Sequence, residues 1–199
     1  MEKNSIKIFM GIDLAGSKYR STGVAFLDKN LRIILEPNEV LTDKEILDCI
    51  DRFQPEWIGI DAPLSFPKSR NKMRLCDRKI RNFGSPAFSP LLLFSLTERA
   101  IQLHHTLSRK GYRCIEVYPR ATQNILKIKT EGKKPTRIWR SSLQKELLKW
   151  IRNLTPPEKR LYSSHILDAI LCAYTAYCRW RGNYQEIGDE EGRIVVPSF

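Results

Sequence analysis

Short apolar runs and longer amphipathic stretches alternate along the chain. IKIFMGIDL (6–14), TGVAFLD (22–28) and LRIILE (31–36) are broken by Gly, Ser, Lys and Asn and predict three strands in a meander, the second and third joined by the short connection DKN. Thr42 followed by Glu45 predicts a capping box opening a helix over TDKEILDCIDRF, with Ile46, Leu47, Ile50 and Phe53 on one side and Pro55 after it. EWIGIDAPL predicts a buried fourth strand, and the Pro-, Ser- and Arg-rich segment from Ser65 to Pro90 an irregular stretch holding a short helix. LLLFSLTERAIQLHHTLSRKG predicts a helix ended by Gly111, and YRCIEVYP a fifth strand. Residues 138–153 predict an amphipathic helix, SSHILDAILCAYTAYCRWRG a last one stopped by Gly182, and the acidic GDEEGR a solvated turn.

This order of elements predicts an α/β layer fold with a mixed sheet, in which strands one and four lie side by side and parallel. The 199 residues carry no linker and fit a single domain over 1–199, long enough to bury roughly 70 % of the surface exposed by the unfolded chain.

That arrangement gives meaning to a near-repeat. MGIDLAGS (10–17) and IGIDAPLS (58–65) each set one carboxylate, Asp13 or Asp61, at the end of an apolar run. Parallel neighbours would deliver both to the C-terminal edge of the sheet, where open α/β sheets place their sites. Buried carboxylates cost several kcal/mol unless compensated, so the two need a common partner. Glu116 interrupts the fifth strand just before Pro119 in a similar placement. In the last helix, at 100° per residue, His165 and Asp168 are neighbours at i, i+3 on the side shared with Cys172, Thr175 and Arg179. Small residues, Ala169 and Ala176, would let that side approach the sheet; the alternative is that it faces water. Three or four converging carboxylates require a cation, and hard oxygen donors suit Mg²⁺ or Mn²⁺. A pair of such ions about 4 Å apart would activate water and stabilise the leaving oxygen of a phosphodiester.

Charge narrows the partner. Thirty-four Lys and Arg against 22 Asp and Glu give a formal charge of +12, which favours polyanions such as nucleic acid. The block KSRNKMRLCDRKIR (68–81) carries seven basic residues and one acid, and a thinner spread runs from Arg120 to Arg160. Lys68, Arg70, Lys72, Arg74, Arg78, Arg81 and Arg120 are the expected phosphate contacts, against the plainer reading of a solvated surface. The five scattered cysteines form no CxxC or Cys/His cluster, so neither a disulfide framework nor a zinc site is expected. With no apolar stretch of signal or membrane-span length, the expected setting is the cytoplasm, without membrane contact. His104 and His105 read as surface or packing residues, and Trp139, Trp150 and Trp180 as core.

GIDLAGS, GIDAPLSFP, CDRKIR, EVYPRAT and HILDAI together resemble the domain of unknown function 429 family, a predicted nuclease family of RNase H-like fold. The resemblance implies a mixed five-stranded sheet of order 3-2-1-4-5 flanked by helices, with acids on strand one, strand four and the final helix. His165 and Asp168 followed by Ala169 are also similar to the last-helix motif of RuvC-type Holliday junction resolvases. By that likeness Asp13 would bridge the metals, Asp61 and Asp168 would complete the ligand set, and His165 would assist as ligand or proton carrier. Glu116 has no counterpart there. RuvC-like enzymes commonly act as dimers, which makes a homodimer an expectation. The expected activity is a metal-dependent nuclease. The rivals are a non-catalytic nucleic-acid binder and a phosphotransferase of the sugar kinase, actin and Hsp70 superfamily, whose first phosphate loop GIDLAGSKYRSTGVA resembles.

Overall fold

Strict alternation sets the faces of the central strands. The structure, a computed structural model, describes residues 6–17, 19–68, 73–84 and 86–199. Strands β1 (Ile8–Asp13), β2 (Thr22–Asp28) and β3 (Ile33–Val40) form an antiparallel meander. Strand β4 (Trp57–Ile60) pairs parallel to β1, and β5 (Cys114–Val117) parallel to β4. The sheet continues past this point: β7 (Gly192–Pro197) pairs parallel to β5 and β6 (Tyr184–Asp189) antiparallel to β7, giving the order β3-β2-β1-β4-β5-β7-β6.

The expected five-stranded sheet is therefore corrected to seven strands. In YQEIGD only Ile187 is buried, so β6 carries little apolar signal of its own. β7 is the strand that covers the edge of β5, with Ile194 and Val195 opposite Glu116 and Val117. Of the acidic segment GDEEGR only Glu190 and Glu191 form the turn between β6 and β7; the other four residues belong to the two strands.

Helix α1 (Asp43–Phe53) opens on the expected capping box, with Thr42 Oγ1 accepting from Glu45 N and the Glu45 carboxylate accepting from Thr42 N. The segment after β4 holds α2 (Leu75–Lys79) and a 3₁₀ turn (Ile80–Phe83). Then follow α3 (Phe94–Arg109), α4 (Pro119–Ile125), α5 (Arg137–Leu147) and α6 (Ser164–Arg181), which ends on Gly182 at φ 80°. Helix α4, which the sequence pattern did not predict, starts on Pro119, whose fixed φ and missing N–H suit a first helical position.

Met10, Ile12, Ile58 and Ile60 pack with α1 and α3 on one face of the sheet. Ala25 and Leu27 pack with α5 and α6 on the other. The intervening β1 and β4 positions, Gly11 and Gly59, lie under α6 and allow its backbone to rest on the sheet. A Cβ at Gly11 would fall 1.8 Å from the Ala169 carbonyl oxygen, and one at Gly59 2.5 Å from that of Cys172. Such approach is open only to glycine. The α6 side that could have faced water is thus against the sheet, with Asp168, Cys172 and Thr175 buried.

Candidate metal centre

The same alternation places the acids. In both apolar–Gly–apolar–Asp runs, the aspartate sits two residues past the glycine and so on the same face, just beyond the strand's contact with α6. Gly11 pairs with Gly59 and Ile12 with Ile60, so Asp13 and Asp61 emerge side by side; Asp61 N also donates to the Ile12 carbonyl at 2.8 Å. Ser163 caps α6, its Oγ accepting from Ile166 N at 3.2 Å, and fixes the first turns from which His165 and Asp168 project. Asp13, Asp61 and Asp168 come together with carboxylate oxygens all within 4.8 Å of one another.

The trio's charge is incompletely offset. Lys134, from the segment between α4 and α5, donates to Asp168 Oδ2 and lies over the Trp139 ring at 5.4 Å. Burial disfavours the Lys134 ammonium, but Asp168, Asp61 and Asp13 outweigh it and hold its pKa above the usual lysine value. Desolvation pushes the Asp168 carboxyl up to about 6, with Asp13 adding to the rise and Lys134 opposing it. Asp61 is pushed well above the carboxylate range by desolvation and by its two acidic neighbours. His165 Nδ1 lies 2.7 Å from Asp13 Oδ2, and that bond raises the imidazole pKa. Glu39 of β3 accepts from the Ser163 hydroxyl at the margin of the group; its burial is outweighed by the Ser163 and Ser21 bonds and His165, which lower its pKa.

Burial and mutual repulsion disfavour ionising the three carboxylates together, and a divalent ion would supply the charge that lets them ionise. The donors are hard oxygens at spacings that fit Mg²⁺ or Mn²⁺. An ion bound at Asp168 would compete with Lys134, whose side chain, 47 % exposed, has solvent to withdraw into.

Glu116 does not join the trio. It pairs in register with Ile60, so alternation turns it to the face opposite Asp61. There it meets Arg74, which corrects two expectations at once: Arg74 is fully buried and is not an exposed phosphate contact. Its Nη2 donates to Glu116 Oε1 at 2.6 Å and to Asp77 Oδ1 at 2.7 Å, its Nη1 to Glu116 Oε2 at 2.8 Å and Ser65 Oγ at 2.9 Å, and its Nε to Asp77 Oδ2 at 3.0 Å. Glu116 also accepts from Leu64 N at 2.9 Å. Burial raises the Glu116 pKa and Arg74 opposes the rise. Cys76, Asp77 and Glu116 also lie within 4.8 Å of one another, but the guanidinium already supplies their counter-charge. Burial pushes the Cys76 thiol up to about 12, far from a metal-binding thiolate.

Of the other basic residues, Lys68, Arg78, Arg81 and Arg120 are exposed, while Arg70 and Lys72 lie outside the described residues. Arg78 Nη1 donates to the Met73 carbonyl at 2.8 Å and Arg120 Nη1 to Gln123 Oε1 at 3.3 Å. Asp13 and Asp61 line a cleft of about 250 Å³, and Asp168 lines an adjoining one of about 550 Å³. Phe88, Tyr118, Arg120 and Lys134 border both. Nothing local in the sequence marks Lys134 or Glu39, which reach the site through long-range contacts, whereas Ser163 is the cap of α6 two residues before His165.

No helix among the described residues is long and apolar enough to cross a membrane. A family model described as protein of unknown function (DUF429) matches residues 91–193, which include Glu116, Lys134, His165 and Asp168. No curated protein and no solved structure matches the chain.

Proposed function

We propose that this chain, which belongs to the DUF429 family, is a divalent-metal-dependent nuclease of RNase H-like fold that hydrolyses phosphodiester bonds of nucleic acid. The observation that carries the reading is the convergence of Asp13, Asp61 and Asp168, drawn from two strand ends and a helix, with one lysine to offset them. Bound Mg²⁺ or Mn²⁺ would supply an activated water and stabilise the leaving oxygen. The chain's own part is to hold the cations on the three carboxylates and to exclude bulk water around Asp168 beneath α6. His165, whose imidazole pKa is raised by its bond to Asp13, would carry a proton at the margin. The exposed Arg78, Arg81 and Arg120 hold the phosphate backbone, in line with the net charge of +12.

One observation favours a second reading. Lys134 already contacts the cluster, as a binder that had lost its ions would require. The phosphotransferase reading has no comparable support, since Ala15 N, one of the amides after β1 that would face phosphate, donates to Thr22 Oγ1 at 3.1 Å.

A cleavage panel of branched, duplex, hybrid and single-stranded substrates with Mg²⁺ and with Mn²⁺ separates the readings. The nuclease reading expects metal-dependent cleavage that Asp13→Asn reduces by orders of magnitude. Cleavage retained in Asp13→Asn, or none with either metal on any substrate, defeats it.

A further inference from the structure

The adjoining cleft has the chemistry of a nucleobase site. Phe88, 58 % exposed, stands between the two clefts and also borders a third, with Leu91 and Leu92. Tyr118, which borders the same two clefts, has its hydroxyl donating to the Pro86 carbonyl at 2.5 Å. Gln123 closes the wall, its Nε2 held by Ile128 O and Thr130 Oγ1 at 3.3 Å each. Arg120 and Lys133 place positive charge at the same cleft. At about 550 Å³ it falls within the size of pockets that enclose a small organic ligand.

In a duplex, stacking hides the base faces, so aromatic side chains there have nothing to stack on. An unpaired base offers a π-face, and paired aromatics beside basic side chains are how single strands are held. Asp13 and Asp61 line the first cleft and Asp168 the adjoining one, so a phosphate at the cluster would have the adjoining cleft beside it for a neighbouring base. We infer that the cleft bordered by Phe88, Tyr118 and Gln123 takes an unpaired base, and that the substrate is therefore single-stranded nucleic acid. This deepens the nuclease reading and rests on it for the identity of the polyanion.

The test measures binding apart from chemistry. Fluorescence anisotropy in EDTA compares a short labelled oligonucleotide, as DNA and as RNA, with its own duplex at one salt concentration, for the full chain and for Phe88→Ala. The single strand of at least one sugar type is expected to bind roughly tenfold more tightly than the duplex, and Phe88→Ala to weaken single-strand binding by roughly tenfold while leaving the duplex unchanged. Melting of the variant should match the parent, because the side chain is exposed. Equal or tighter duplex binding, or a Phe88→Ala effect that is absent or equal on both forms, overturns the inference. Adding Mg²⁺ or Mn²⁺ separates it from its premise. Equal cleavage of duplex and single strand overturns the base site and keeps the nuclease; a single-strand preference without cleavage overturns the nuclease and keeps the base site.

Discussion

Replacing Asp168 by Asn should make the metal-free protein more stable, and only above mildly acidic pH. The carboxyl is buried among acids and its pKa stands at about 6, against 3.8 for the ordinary group. In the unfolded chain it titrates normally. A folded-state pKa raised in this way contributes stability that is complete below about pH 4 and lost as pH rises through about 6. Two units correspond to about 3 kcal/mol, the cost of holding the Asp168 anion folded at neutral pH without a cation. Asn keeps the shape and one acceptor for Lys134 and removes the charge. Thermal melts in EDTA between about pH 4 and about pH 8 should show wild type and Asp168→Asn nearly together at the acid end. At neutral pH the variant should melt about 6 to 12 °C higher, at about 2 to 4 °C per kcal/mol for a domain of this size. Mg²⁺ at a thousandfold its dissociation constant should reverse the order, because it stabilises the wild type by about 4.1 kcal/mol and the variant has lost a ligand. A difference that does not change with pH, or a variant less stable at neutral pH in EDTA, would refute the idea that the cluster is electrostatically strained without its cation.

Three further outcomes follow from the packing. Gly11→Ala should cost about 3 kcal/mol or more, because its Cβ would meet helix backbone at 1.8 Å, whereas Gly111→Ala, at φ 85° with nothing within 4 Å, should cost only about 1 to 2 kcal/mol; chemical denaturation of the pair checks this. Arg74→Met should cost about 3 to 5 kcal/mol by leaving Glu116 and Asp77 buried without their cation, while Arg78→Gln should leave stability unchanged and lower the slope of nucleic-acid affinity against salt by about one. Lys134→Met should lower metal-free stability by roughly 1 kcal/mol and tighten Mg²⁺ binding about fivefold in calorimetry, since the ammonium and the ion compete for one set of carboxylates.

The three central aspartates were legible because each carries a local signature. Asp13 and Asp61 repeat one motif on strands whose parallel pairing the element order implies, and Asp168 lies one turn from His165 on a helix with small neighbours. The glycines of that motif carry the geometry: one parity delivers both the floor for α6 and the acids beyond it. Glu116 looked equivalent along its own strand, yet equivalence depends on register with β4, which one strand's sequence does not contain. Arg74 read as one of seven basic residues, and only the fold brings Glu116 across the 42 positions that separate them. Lys134 sits in a run of polar residues with nothing to distinguish it from its neighbours. Strands β6 and β7 escaped because β6, at the sheet edge, buries a single residue and its partner was masked by the charged turn between them.

Anomalous diffraction from crystals soaked in Mn²⁺ asks whether Asp13, Asp61 and Asp168 share one divalent-cation site. The expected result is a peak in contact with oxygens from all three carboxylates, with Lys134 turned away from Asp168, and loss of that peak in Asp168→Asn. Density at saturating Mn²⁺ that shows Lys134 still bonded to Asp168 and no peak among the three aspartates would contradict it.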